Sequence, residues 1–342
     1  MFRPLRVQGS SGEHNYDQSH DAILAQLRSN KPTRSLQNST LSLISLAGIV
    51  ILAIFCTPTR IFLDPGNLTD ILRQVSITGI TALAMTYVIL TAGIDLSVGS
   101  TLALATSIVA MGLMRPNASI TTSILMALAA SAAVGAVNGA CVALLKIQPF
   151  VVTLATMIGI RGLAKWLTAN ANIDIGFGQD IAARFAELLR TKTVVIGTWA
   201  VLAAIFWVML QRSVFGRHVR AVGDNETAAR YAGLPIRSVK IGVYTLAGLL
   251  AGIGGVLYAA ENHQGNPNAG VAYELDAIAA VVIGGTRLAG GSGSIGGTIV
   301  GTLTIGVLTN MLRLNNVDSN VEMMLKAVII LLAVALQRRG SN

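Results

Sequence analysis

Apolar stretches of about 17–25 residues, separated by polar connections, recur along the chain from residue 41 to residue 337. At 1.5 Å of rise per residue, a stretch of that length matches the hydrocarbon thickness of a bilayer and reads as a transmembrane helix. They lie near 41–57, 74–94, 96–114, 121–145, 150–169, 193–210, 241–260, 275–290, 295–312 and 321–337. The eighth departs from the pattern, because Gly284, Gly285, Gly290, Gly291 and Gly293 crowd its end. It is expected to be a broken or re-entrant helix, since non-helical backbone persists at membrane depth only where protein or a water-filled cavity satisfies its polar groups. The predicted fold is an all-α integral membrane bundle of about ten transmembrane helices, one domain over residues 41–338. The polar, mixed-charge segment 1–40 precedes it as a cytoplasmic tail with a short helix over Asp21–Arg28.

Composition supports this reading. The 342 residues are 53% hydrophobic and 12% charged, against roughly 25% charged in soluble domains. Aromatic residues make up only 5%, while there are 35 glycines, the balance expected of helices that approach closely in lipid. Cys56 and Cys141 both lie in apolar runs, and the four histidines are scattered, so neither a disulfide framework nor a metal site is expected.

Lysine and arginine placement gives the orientation. With the N-terminus inside, fifteen of the 25 basic residues fall in inner segments, seven in outer loops and three (Arg161, Lys165, Lys326) inside spans near their outer ends. Both termini are therefore placed in the cytoplasm of a bacterial-type inner membrane. The net charge of +9 follows from this asymmetry and from contact with anionic lipid headgroups, so nucleic-acid binding is not needed to explain it. An amphipathic stretch in the outer loop, Ile181 to Leu189, is expected to lie along the membrane interface.

The inner loop 211–240 carries six basic and two acidic residues. Asp224 or Asn225 can cap a short helix over Glu226 to Tyr231, Gly233 stands at its C-terminal end, and Pro235 lies just beyond. A basic anchor explains the charge, whereas a capped Ala-rich helix is suited to enter a groove on a partner. Three polar points stand out within the spans. Asp95 and Ser97, between Gly93 and Gly99, either cap a helix or border a pathway. Asn138, with Gly135, Gly139 and the breaking point at Gln148 and Pro149, offers a helix–helix hydrogen bond or a solute contact. Gly285, Thr286 and Gly290 belong to the glycine-rich segment, where unusual backbone is expected near the pathway. Corresponding interruptions at 93–99 and 284–297 point to an internal repeat with the pathway between its halves. The 285–292 stretch has phosphate-loop glycine spacing, but Gly291 stands where a lysine would be needed, so no ATP hydrolysis is expected of this chain.

Four stretches taken in order carry a specific resemblance: TAGIDLSVGS (91–100), VNGACVALLKIQPFVVTLATM (137–157), AVGDNETAARYAGLPI (221–236) and ELDAIAAVVIGGTRLAGGSGSIGGTIVGTLTIGVLTNML (274–312). Over roughly residues 70–335 the chain resembles the membrane permease subunit of simple-sugar, ribose-type ATP-binding-cassette importers. In that family a Gly-x-Asn-x-x-Ala-Ala loop contacts the ATPase. The resemblance assigns that role to Gly223, Asn225, Ala228 and Ala229, with Asp224 and Gly233 in the same loop. Tyr231 departs from the small polar residue often found there. The resemblance further implies a separate cassette ATPase as the only user of ATP, a periplasmic or lipid-anchored solute-binding protein, and a second permease copy, identical or related. Two rivals remain at this level: a related permease for branched-chain amino acids or nucleosides, and an ion-coupled secondary transporter. The few ionisable residues inside spans favour a neutral cargo, and no nucleophile, base and orienter grouping supports a membrane enzyme.

Overall fold

A computed structural model describes residues 43–44, 46–57, 59–176, 180–318, 320–328 and 331. The predicted tail 1–40, the distal part of the last span and Arg338 and Arg339 lie outside the described residues. In chain order the helices are α1 (Leu46–Cys56), α2 (Thr59–Phe62), α3 (Pro65–Leu90), α4 (Val98–Leu113), α5 (Ile120–Ala143), α6 (Pro149–Leu167), α7 (Ile181–Leu189), α8 (Lys192–Arg212), α9 (Val214–Asp224), α10 (Glu226–Tyr231), α11 (Ile236–Asn262), α12 (Tyr273–Ile283) and α13 (Ile295–Leu314). Residues 320–328 are also helical. Two-residue strands β1 (Ile173–Asp174) and β2 (Gln264–Gly265) pair antiparallel at one end of the bundle.

Among the described residues six helices, α3, α5, α6, α8, α11 and α13, are long and apolar enough to cross a membrane, while α1 and α4 are shorter apolar helices. The protein is thus an all-α, multi-pass membrane protein. Two expected boundaries shift. α3 begins at Pro65, nine residues before the apolar run, because Asp64 Oδ2 accepts from Gly66 N and Asn67 N and Pro65 opens the first turn. The span expected at 275–290 is helical only from Tyr273 to Ile283, and the glycine-rich residues after it form an irregular loop.

Burial and apolarity run in opposite directions, as a lipid solvent requires. α3 is the least apolar of the six, and 78% of its most apolar stretch is buried; α8 is the most apolar, with 28% buried. The buried helices carry Ser and Thr, whose hydroxyls mostly bond backwards to a carbonyl three or four residues earlier. Small residues set the tightest crossing. Gly135 of α5 meets Gly248 of α11, with Gly139 against Ile241 and Gly252 against Ser131, so that a Cβ at Gly135 would meet the Tyr244 carbonyl and one at Gly248 the Ser131 carbonyl. This is the close approach that glycines four residues apart permit between membrane helices.

α7 forms as predicted, with Asp180 Oδ1 accepting from Ala183 N at 2.7 Å. It does not lie free along the interface: Ala182, Ala183, Phe185 and Ala186 are buried against the end of the bundle, beside α4, α5 and α11.

Candidate functional site

The expected short helix in the 211–240 loop is present. Asn225 Oδ1 accepts from Ala228 N at 2.9 Å and caps α10, and Gly233 adopts φ +77° just past its end, where Leu234 N donates to the Ala229 carbonyl. Glu226 ties the helix to α11 through Lys240 Nζ at 2.7 Å and to Arg230 at 3.0 Å. The Lys240 hydrogen bond holds the Glu226 carboxyl below the usual carboxylate range, aided by both cationic charges against a smaller cost of burial. Residues 214–224, for which no helix was expected, form α9, whose Val219 and Val222 are buried. Ala229 was assigned with Ala228 to a partner-facing surface, but it is buried in this chain's own core, and the exposed residues of α10 are Thr227, Ala228, Arg230 and Tyr231. A four-residue repeat cannot tell which side of so short a helix its own bundle will take.

Gly223 ends this loop in a junction of three segments. A Cβ on Gly223 would collide with the Leu90 carbonyl at the end of α3 and with Gly291 N, and Gly291 N itself donates to Leu90 O at 3.0 Å. Gly290 sits at φ +89° against Gly223 O and Ala92, and Gly291, at φ +74°, lies against Asp224. Gly285 is also left-handed at φ +84°, and Thr286 is fully buried where Gly293 packs over it. The glycine-rich segment therefore supplies the unusual backbone expected of it, and its contact is with the loop helices and the α3 terminus.

The break between α3 and α4 holds a chain of buried polar groups. Asp95 Oδ1 accepts from Ser97 N at 2.8 Å and Ser97 Oγ at 2.6 Å; Asn138 Nδ2 of α5 donates to Ser97 Oγ at 2.9 Å; and Thr156 Oγ1 of α6 donates to Asn138 Oδ1 at 2.6 Å. Asp95, Ser97 and Asn138 are each no more than 2% exposed. The carboxylate thus orders the turn leading into α4, and Asn138 binds three helices together. Tyr244 Oη is buried beside Gly93 with no hydrogen-bond partner among the described residues. Gln148, named with this group, is exposed at the α5–α6 turn and does not join it.

A second polar assembly was not expected. At the start of α12, Asp276 Oδ2 pairs with Lys326 Nζ at 3.3 Å, Lys326 pairs with Glu322 at 3.0 Å, and Thr309 Oγ1 donates to Glu322 at 3.1 Å. Asp276, Lys326, Gln74, Thr78, Tyr273 and Thr309 line a cavity of about 90 Å³, enough for several waters by the measure of roughly 10–15 Å³ each. Arg73 and Glu261 pair nearby at 2.9 Å. Ionisable side chains are therefore more numerous in the bundle than the single-span view suggested. Glu322 and Lys326 stand one helical turn apart, but Asp276–Lys326 and Arg73–Glu261 join residues 50 and 188 apart, which no local pattern announces; the remaining signal was the presence of Arg161, Lys326 and the ELD triplet in apolar surroundings.

Residues 67–334 match the family model described as "Branched-chain amino acid transport system / permease component". The chain belongs to that permease family. The permease is 43% identical over 303 residues to the ribose import permease protein of Escherichia coli K12, covering 87% of this chain and 93% of the relative. It is 42% identical over 295 residues to the ribose import permease protein of Bacillus subtilis 168 (86% and 90%), and 36% identical over 288 residues to the fructose import permease protein of Rhizobium meliloti (81% and 79%). No solved structure matches.

Proposed function

We propose that this permease is the membrane-spanning subunit of an ATP-driven importer that carries a monosaccharide, or a related neutral polar solute, into the cell. The observation that carries the reading is the similarity, over more than four fifths of the chain, to permeases named for ribose and fructose. Others are named for L-arabinose and D-allose. The family description mentions branched-chain amino acids, but the relatives just given are named for sugars.

In this reading the 211–240 loop and both termini face the cytoplasm, where most of the basic residues fall, and the chain crosses the membrane about ten times. A separate cassette ATPase hydrolyses ATP, a periplasmic or lipid-anchored binding protein delivers the solute, and a second permease copy completes the pathway. The permease itself needs no cofactor. The ATPase seats on α10 and α9. Movement then passes through the rigid contact of Gly223 with Leu90 and Gly291 to the end of α3 and the glycine-rich loop.

The test is co-expression with the cognate ATPase and binding protein, followed by uptake of labelled ribose, arabinose, allose and fructose. Native complex is expected to accumulate at least one of them in an ATP-dependent way. Ala228→Trp, on the exposed side of α10, should insert normally yet lose ATPase co-purification and at least tenfold of solute-stimulated hydrolysis. Full stimulation in that variant would remove α10 from coupling, and ATP-independent uptake would favour a secondary transporter.

A further inference from the structure

α6 breaks the rule that the outward-facing helices are the most apolar. It is the least buried of the six long helices, at 17%, yet the second least apolar, and it carries Arg161. Arg161 lies about 18 Å along α6 from Pro149 and about 9 Å from Leu167, more than a helical turn from either end. Its guanidinium is held by protein carbonyls and is not left to hydrocarbon. Its Nη1 donates to the carbonyls of Pro267 and Ala269, while Nε and Nη2 make no hydrogen bond among the described residues.

Those carbonyls belong to an irregular stretch, residues 263–272, that runs down the side of α4. Gly265 packs on Thr106 and Ala110, Thr106 Oγ1 bonds Asn266, and Gly270, at φ +65°, rests on Gly99. α12 starts only after this descent. The N-termini of α4 and α12 therefore overlap inside the bundle, and neither is capped by the side chain of its own cap residue, Ser97 or Ala272. Helix N-termini carry unsatisfied N–H groups and partial positive charge. The carboxyl against both is Glu274: a Cβ on Gly99 would meet Glu274 Oε2, an oxygen that is buried with no hydrogen-bond partner among the described residues, while the backbone N–H groups of Ala272 and Glu274 act on the same carboxyl. Arg161 and Glu274 interact electrostatically without forming a direct ion pair. Beside them the surface is open, with Val271 and Leu275 exposed and nothing within 4 Å of a Cβ on Gly162.

We propose that Arg161 and Glu274 form the hydroxyl-recognition station of the solute pathway, and that the side of α6 and the start of α12 carrying them look onto that pathway and not onto lipid. A sugar hydroxyl both donates and accepts. A carboxylate accepts from neighbouring hydroxyls, and a guanidinium edge donates to hydroxyl or ring oxygens. Because Glu274 already offsets Arg161, the station favours a neutral polyol over an ion. This rests on the reading of the chain as a sugar permease.

Two measurements on the full importer test it. The first compares native, Glu274→Gln and Arg161→Lys complexes for uptake of the four sugars, normalised to assembled complex. At least one variant should lose tenfold in uptake or shift the preference between two sugars by tenfold. The second places Leu275→Cys in a background lacking Cys56 and Cys141. A hydrophilic thiol reagent should label it, with labelling slowed at least fivefold by a saturating transported sugar, whereas Val201→Cys on α8 should stay unlabelled. This arm decides the matter if the charge variants fail to assemble. Unlabelled or unprotected Leu275→Cys overturns the station, as do two assembled variants whose uptake and preference stay within twofold of native, and both results leave the sugar-permease reading standing. Native complex that imports none of the four sugars takes down both.

Discussion

The junction at the loop end of the bundle and the charged assembly around α12 are built from opposite materials. The first is backbone against backbone: Gly223, Leu90, Gly290 and Gly291 meet with almost no side chain between them. The second is made of side chains alone, with Asp276, Glu322 and Lys326 drawn together from two helices. Glycine contacts tolerate no added atom but hold no charge, which suits a joint that passes movement. A buried ionic cluster holds its geometry only while every charge keeps its partner.

The largest expected effect breaks the second region. Lys326→Met leaves Asp276 and Glu322 facing each other without their shared cation, which should cost about 3 kcal/mol of stability. Thermal unfolding of the detergent-solubilised protein would show it, and adding Asp276→Asn with Glu322→Gln should recover most of the loss. A triple variant no more stable than Lys326→Met would mean that the lysine acts through packing.

The next compares glycines within the first region. Gly223→Val places carbon on the Leu90 carbonyl and should cost about 1–3 kcal/mol, together with solute-stimulated ATP hydrolysis. Gly233→Ala meets open space and pays only for its left-handed backbone, about 1 kcal/mol. Equal losses in the two variants would argue that the junction is not tight.

The smallest concerns pH. Glu226 has a lowered carboxyl pKa in the folded chain, so its contribution is complete above the ordinary value of roughly 4.3 and disappears as pH falls through the lowered one. Stability should not respond to this group between pH 5 and 8. Because Glu226 is 40% exposed, Glu226→Gln should cost only about 0.5 kcal/mol at pH 7. A difference between variant and native that grows from pH 6 to 8 would require another titrating group.

Much of this was legible in the residues themselves. Apolar runs of bilayer length gave the six long helices found among the described residues, because hydrocarbon forces each backbone segment to satisfy its own hydrogen bonds. The cap at Asn225 and the left-handed glycines at 233, 285 and 290 are local, set by a few neighbouring residues. α9 escaped notice because its buried valines fall among basic residues, and Ala229 was turned to the wrong side because facing depends on what lies beneath. Tertiary structure alone decided that the glycine-rich loop rests on Gly223 and that Asn138 reaches both Ser97 and Thr156. It also placed Arg161 near Glu274 at the overlap of two helix N-termini. Hydropathy reports how far a segment avoids water but not which neighbour it meets. In a membrane, where lipid is as apolar as leucine, that choice falls to close packing and to the few polar groups that must find one another.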